Sequence, residues 1–275
     1  MAYVNTNTLS KMLSGLVTLD GSSVKMFITR ESLGSLESKN TLADFTTPDF
    51  FSNSVTVTAI NSNTGMVYLS AYEVYFTNIT IDYSAEYNVY FVTYIDSGTP
   101  STSPVLTVDT KNLPNISGPT FYNYNSRGIL YLSDVDLSRC LFRNFSEQLM
   151  KGTLGDLGAS NIKLALMDST YNAVFDIATH KHYSDISSHV VATQAVNGAY
   201  VSTAKSLRTT DPYISFPNLT GSTVEGLVFY IDTGVASTST LMCYYYGPGY
   251  ISNIPYTPNG STVTVKTFGD VIFQL

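Results

Sequence analysis

The chain repeats itself at long range, and nothing else in it restricts the possible folds so strongly. YIDSGTPSTSPVL, from Tyr94 to Leu106, returns as YIDTGVASTSTLM, from Tyr230 to Met242. Other segments recur in the same order. LDGSSVK (Leu19 to Lys25) matches LGASNIK (Leu157 to Lys163), and LADFTT (Leu42 to Thr47) matches YSDISS (Tyr183 to Ser188). FTNIT (Phe76 to Thr80) matches FPNLT (Phe216 to Thr220), and ILYL (Ile129 to Leu132) matches IFQL (Ile272 to Leu275). The shift between partners stays between 136 and 143 positions, as it does when length changes fall in loops. A period this long means two copies of one folding unit, each large enough to bury a core. Residues 1–134 form the first expected domain and residues 135–275 the second.

Within each copy the hydrophobic period identifies the elements. Leu9, Met12, Leu13 and Leu16 lie at helical spacing, so a short helix is expected over about residues 8–16, capped by Asn7 or Thr8. Its counterpart is expected over about 138–151, with Phe142, Phe145 and Leu149 on one face, Ser138 or Asp136 as cap and Gly152 as terminator. Each helix is read as a lid on a sheet, or else as a tether to a neighbouring chain. The period then changes to two. VKMFIT, SVTVTAI, MVYLSAYEVYF, NVYFVTYI, VLTVDT and GILYL read as strands in the first copy. IKLALM, HVVATQAV, AYVSTA, EGLVFYI, LMCYYY, STVTVKTF and DVIFQL do so in the second. Short strands separated by turn signals predict an all-β chain of two tandem homologous antiparallel sandwich- or barrel-like domains, each preceded by its short helix.

Composition narrows the possible functions. Charged residues make up only 13%, and polarity comes instead from Ser, Thr, Asn and 21 tyrosines. The net charge of −7 is spread out, with no basic stripe, so no nucleic-acid partner is expected. No apolar run approaches the roughly 20 residues that cross a bilayer, and the N-terminus has no signal-peptide pattern, so no membrane partner is expected. Cys140 and Cys243 have no matching cysteines in the other copy, which reads as two reduced thiols.

Residues that could carry chemistry find structural readings. His180, His182 and His189 are the only histidines. The first copy has none in their place and no cysteine or Glu-x-x-His accompanies them, so no metal is expected. Asp44 and Asp185 recur, as do Asp96 and Asp232. A carboxylate beside Ser or Gly at a strand end holds a turn by accepting backbone N–H bonds, and a fold must repeat what a catalytic pair need not. GTLGDLG (Gly152 to Gly158) runs from helix to strand, the reverse of a phosphate-cradling loop. No cofactor and no catalytic residue is expected. The aromatic clusters FYNY (Phe121 to Tyr124) and YYYGPGY (Tyr244 to Tyr250) offer a possible interface through Tyr122, Tyr124, Tyr244, Tyr246 and Tyr250, because tyrosine brings apolar area and a hydroxyl with little rotamer entropy to lose.

The second copy resembles a single-domain family of tailed bacteriophages. The likeness rests on the opening helix, IKLALM followed by DSTYN (Asp168 to Asn172), HKHYSDISSHVV (His180 to Val191), YIDTG and the ending GDVIFQL, and it spans nearly all of residues 138–275. The first copy looks like a diverged sister in which ESLGSLESKNTLADF replaces the histidine-containing segment. The family is similar to head decoration or auxiliary capsid proteins. The resemblance therefore implies a non-enzymatic virion structural protein on the capsid surface, assembled in the host cytoplasm. Its partners would be the major capsid protein and neighbouring copies of itself. The alternative is a tail- or fibre-associated module that binds a receptor or host glycan.

Overall fold

The computed structural model describes residues 3–19, 21–29, 31, 36, 38–46, 48–49, 51–52, 55–56, 58–61, 66–70, 74–80, 90–109, 117–122, 130–133, 139–202, 206–211, 213–246, 254–266 and 271–274. The first half contains β1 (Tyr3–Val4), α1 (Thr6–Leu13), β2 (Ser23–Thr29), β3 (Pro48–Asp49), β4 (Val55–Thr56), β5 (Thr58–Asn61) and β6 (Met66–Ser70). It continues with β7 (Val74–Thr80), β8 (Tyr90–Ile95), β9 (Val105–Asp109), β10 (Ser117–Tyr122) and β11 (Leu130–Ser133). The second half contains β12 (Arg139–Leu141), α2 (Arg143–Met150), β13 (Ile162–Asp168), α3 (Tyr171–Val174), β14 (Val190–Ala195), β15 (Ala199–Ser202) and β16 (Ser206–Thr209). It ends with β17 (Tyr213–Phe216), β18 (Val224–Ile231), β19 (Leu241–Tyr246), β20 (Val263–Lys266) and β21 (Val271–Gln274).

The fold is all-β, and every strand pairing among the described residues is antiparallel. The largest sheet of the first half has the order β1-β9-β8-β2-β3, with β4 also pairing β2, and that of the second has β12-β19-β18-β13-β14. Two smaller sheets accompany each. In the first half they are β11-β6-β5 and β10-β7, and in the second β21-β16-β15 and β20-β17. Apart from β4, the order is the same strand for strand.

Each large sheet is built on strands whose side chains are buried on both faces. β8 is buried at all six positions, and Leu164, Ala165, Leu166 and Met167 of β13 are 0–1% exposed. Such strands read as continuous apolar runs rather than as alternations.

Both helices end in the same way. A glycine with positive φ follows the C-cap (Gly15 at 66°, Gly152 at 65°). The next amide reaches back into the helix, Leu16 to the Lys11 carbonyl at 2.8 Å and Thr153 to the Gln148 carbonyl at 3.1 Å. This six-to-one bond, with a left-handed residue before it, closes a helix and favours glycine. Gly152 terminates α2 as its sequence suggests.

The helix starts differ from expectation. Asn5, not Asn7 or Thr8, caps α1, accepting the Thr8 amide at 3.1 Å. Thr8 lies inside the helix, fully buried, with its hydroxyl on the Val105 carbonyl. α1 also stops before Leu16, which is 75% exposed and not part of the apolar face. α2 begins at Arg143 behind Phe142, without a side-chain cap, and Ser138 and Asp136 lie outside the described residues. A short edge strand precedes each helix, β1 on β9 and β12 on β19; β12 takes up residues that looked like the start of α2, while α1 begins two residues earlier than expected, directly behind β1.

MVYLSAYEVYF does not form one strand, because β6 and β7 belong to different sheets. The expected boundary at 134/135 falls between β11 and β12, outside the described residues, but burial does not stop there. One apolar cluster takes Leu9, Met12 and Leu13 from α1 together with Phe145, Leu149 and Met150 from α2 and most of the second half's core. A separate cluster, with Phe27, Phe45, Val92 and Val105, belongs to the first half alone. α1 packs on α2 and on β15 and β16, while α2 packs on β5 and β6. Each helix thus covers a small sheet of the other half. Among the described residues, no helix is long and apolar enough to cross a membrane.

Candidate functional site

Two groups of polar side chains stand out, one present in both halves and one in the second alone. The first is the turn between β8 and β9 and its counterpart between β18 and β19. Asp96 meets Lys25 Nζ at 2.7 Å and accepts the Gly98 amide at 3.1 Å. Asp232 meets Lys163 Nζ at 2.6 Å and accepts the Gly234 amide at 3.0 Å. Gly98 and Gly234 adopt φ of 80° and 82°, a region that favours glycine. The hydroxyls agree as well. Ser103 Oγ accepts the Ser97 amide at 3.1 Å, as Ser239 Oγ accepts the Thr233 amide at 3.1 Å. Ser103 donates to the Thr99 carbonyl at 2.9 Å, as Ser239 donates to that of Val235 at 2.9 Å. Residues 97–102 and 233–238 are exposed and uncharged, yet fixed by these bonds.

A second turn docks beside each. Asp44 Oδ2 accepts the amides of Asn40 and Thr41, both at 2.8 Å, and Asp185 Oδ2 those of Lys181 and His182, at 2.8 and 2.9 Å. The Leu42 amide then reaches the Ser103 carbonyl at 2.9 Å, and the Tyr183 amide that of Ser239 at 2.8 Å. The recurring aspartates hold turns, which accounts for their presence in both halves.

Their environment favours the charged form. The Lys25 ammonium outweighs burial and, with the Gly98 amide, holds the Asp96 carboxyl below its usual value; Lys163 and Gly234 do the same for Asp232. The Thr41 amide depresses Asp44, and for Asp185 burial is outweighed by the His182 and Lys181 amides. Burial pushes Tyr94 and Tyr230 up to about 12, helped by the Asp96 carboxylate for Tyr94 and by Tyr183 and the Asp232 carboxylate for Tyr230.

The second group belongs to DSTYN and the histidine segment. Asp168 Oδ1 accepts the Thr170 amide at 2.9 Å, the Thr170 hydroxyl at 2.7 Å and the Tyr171 amide at 3.0 Å. The Thr170 proton is thereby committed, so His189 Nδ1, 3.0 Å from the same hydroxyl and 3.4 Å from Asp168, is the donor in that contact. Burial raises the Asp168 pKa, but these hydrogen bonds and the neighbouring His189 bring it below the usual value.

Tyr171 is fully buried, with its hydroxyl 3.2 Å from His180 Nδ1 and its ring 5.7 Å from those of both His180 and His189. His182 instead opens the next turn and bridges to Thr240. The histidines therefore serve two different structures. Among the described residues, no three His, Cys, Asp or Glu side chains come together to hold a metal ion. Cys243 is buried, its thiol 3.9 Å from the Ile272 carbonyl.

The tyrosines proposed for an interface have different fates. Tyr244 is corrected: it is 2% exposed, with Phe175 at 4.7 Å and Tyr171 edge-on at 5.2 Å. β19 has a neighbour on each side, and the chain from Tyr171 to Phe175 folds over its face. Tyr246 is half-buried, 6.2 Å from Tyr244. Tyr122 ends β10 opposite Val74. Tyr124 and Tyr250 lie outside the described residues. Exposed aromatic surface occurs elsewhere, at Tyr213 (54%) with Lys266 Nζ over its ring, and at Tyr200 (41%). No periodicity marks these two, because exposure depends on what the rest of the chain covers. Comparison with family models, curated proteins and solved structures returns no match.

Proposed function

We propose that this is a non-enzymatic structural protein of a tailed-phage virion, one that reinforces the outer capsid by bridging adjacent major capsid subunits. The observation that carries this reading is the recurrence of one exposed turn network on both halves of a body in which one apolar cluster spans the two. Its carboxylates fix the backbone, and the ends of the turns offer hydroxyls and peptide groups without charge. Two similar surfaces on one scaffold suit a repeating partner. The second attachment becomes intramolecular, so residence lengthens without a new kind of contact. The resemblance of residues 138–275 to phage head decoration proteins supplies the particular setting.

The test is to locate the protein on intact particles by labelling and imaging. Hundreds of copies spread over the shell are expected. A few copies confined to one vertex or to the tail would overturn the reading.

A further inference from the structure

The contacts between the halves are reciprocal, and reciprocity fixes their symmetry. A shift of 137 positions takes α1 onto α2, Gly15 onto Gly152 and Thr18 onto Gly155. A Cβ on Gly15 would lie 2.6 Å from the Gly155 carbonyl carbon. A Cβ on Gly152 would overlap the Thr18 hydroxyl. Position 15 of each copy therefore touches position 18 of the other. The helices repeat the pattern, since α1 lies on β15 and β16, the counterparts of β5 and β6, on which α2 lies. The two helices also touch one another, as elements beside an axis must. If one half contacts its partner through a given pair of sites and receives the same contact in return, the operation relating them restores the start when applied twice. That is an isologous, two-fold arrangement. A translation or a rotation by another angle would leave one member of each pair unmatched.

We infer that the protein straddles a local two-fold axis of its partner lattice, each half engaging one of two subunits related by that axis. This rests on the reading of the protein as a capsid-bridging component and adds to it the symmetry of the site. The recurring exposed turns, 97–102 and 233–238, are carried to each other by the pseudo-two-fold of the chain. Both can meet equivalent surfaces at once only where those surfaces are themselves related by a two-fold. Over a three- or five-fold centre, which contains no two-fold rotation, one half would face a surface of the wrong orientation. The match is approximate, because the Asp168, Tyr171, His180 and His189 cluster exists in one half only. A chain of this kind therefore fits a local two-fold between similar but non-identical environments, and it binds in one of two orientations where those environments coincide.

The experiment is a localised reconstruction of particles carrying the full-length protein. The expected result is one chain per pair of subunits, its density centred on a local two-fold with a half on either side. Density centred on a three- or five-fold position, or one half bound and the other free, would overturn the inference and leave the capsid role intact. Absence of the protein from the shell would remove the proposed function, and this inference with it.

Discussion

At the scale of single residues, the aspartates and the helix-ending glycines carry most of the local specification. Asp44, Asp96, Asp185 and Asp232 all have carboxyls held below their usual value. A carboxylate of this kind adds stability above its unfolded value, about 3.9, and loses it as pH falls through the lower folded value. The melting temperature should therefore be nearly level from pH 7 to about 5 and fall steeply below about 4. Replacing Asp96 and Asp232 by Asn removes the attraction to Lys25 and Lys163. Thermal melts across pH should show the double variant destabilised by about 1–2 kcal/mol at pH 7, with a shallower acid limb. An acid limb identical to that of the parent would contradict the role given to these carboxylates.

Gly15 and Gly152 test the close approach of the halves. Both need positive φ, so Ala at either costs about 1–2 kcal/mol from the backbone alone. The neighbours then separate them. A methyl at position 15 meets Gly155 backbone, which has no rotamer with which to yield, whereas one at 152 meets the Thr18 side chain. Gly15→Ala should be the more destabilising, and Thr18→Ala should relieve Gly152→Ala but not Gly15→Ala. A double-mutant cycle by chemical denaturation reads that coupling.

At the scale of elements, α1 and α2 lie in a core that both halves share. Phe145, fully buried on α2, should cost about 3–5 kcal/mol when cut to Ala. Because α2 packs on β5 and β6 as well as on β19, hydrogen exchange should quicken in strands of both halves. Acceleration confined to residues after 139 would mean that the halves are energetically separate.

Strands such as β2 and β13 are legible in the chain, since their apolar runs are flanked by turn residues. β16 is not. SLRT contains one apolar side chain, and its buried Ser206 and Thr209 are accommodated through hydrogen bonds, Thr209 to the Asn197 carbonyl at 2.5 Å and the Asp211 carbonyl at 3.0 Å. The two- and three-residue strands β1 and β12 are too short to show a period. The turn-holding role of the aspartates was legible because Asp beside Ser or Gly acts locally. The fate of Tyr244 was not, because a segment some seventy positions earlier folds over it.

At the scale of the whole molecule, the large sheets of the two halves follow matching strand orders, and each helix lies on a small sheet of the other half. On the inferred pseudo-two-fold the body would behave as a dimer in one chain, with contacts apolar at the helices and tight at the glycines. Isologous interfaces of this sort hold without a covalent link when they bury a continuous core. The most direct test is to place a protease site between Ser133 and Arg139, cut the folded protein, and measure its size under native conditions. Both fragments are expected to elute together at the size of the intact chain and to separate only in denaturant. Fragments that part under native conditions, each running at half the intact size, would contradict a shared core.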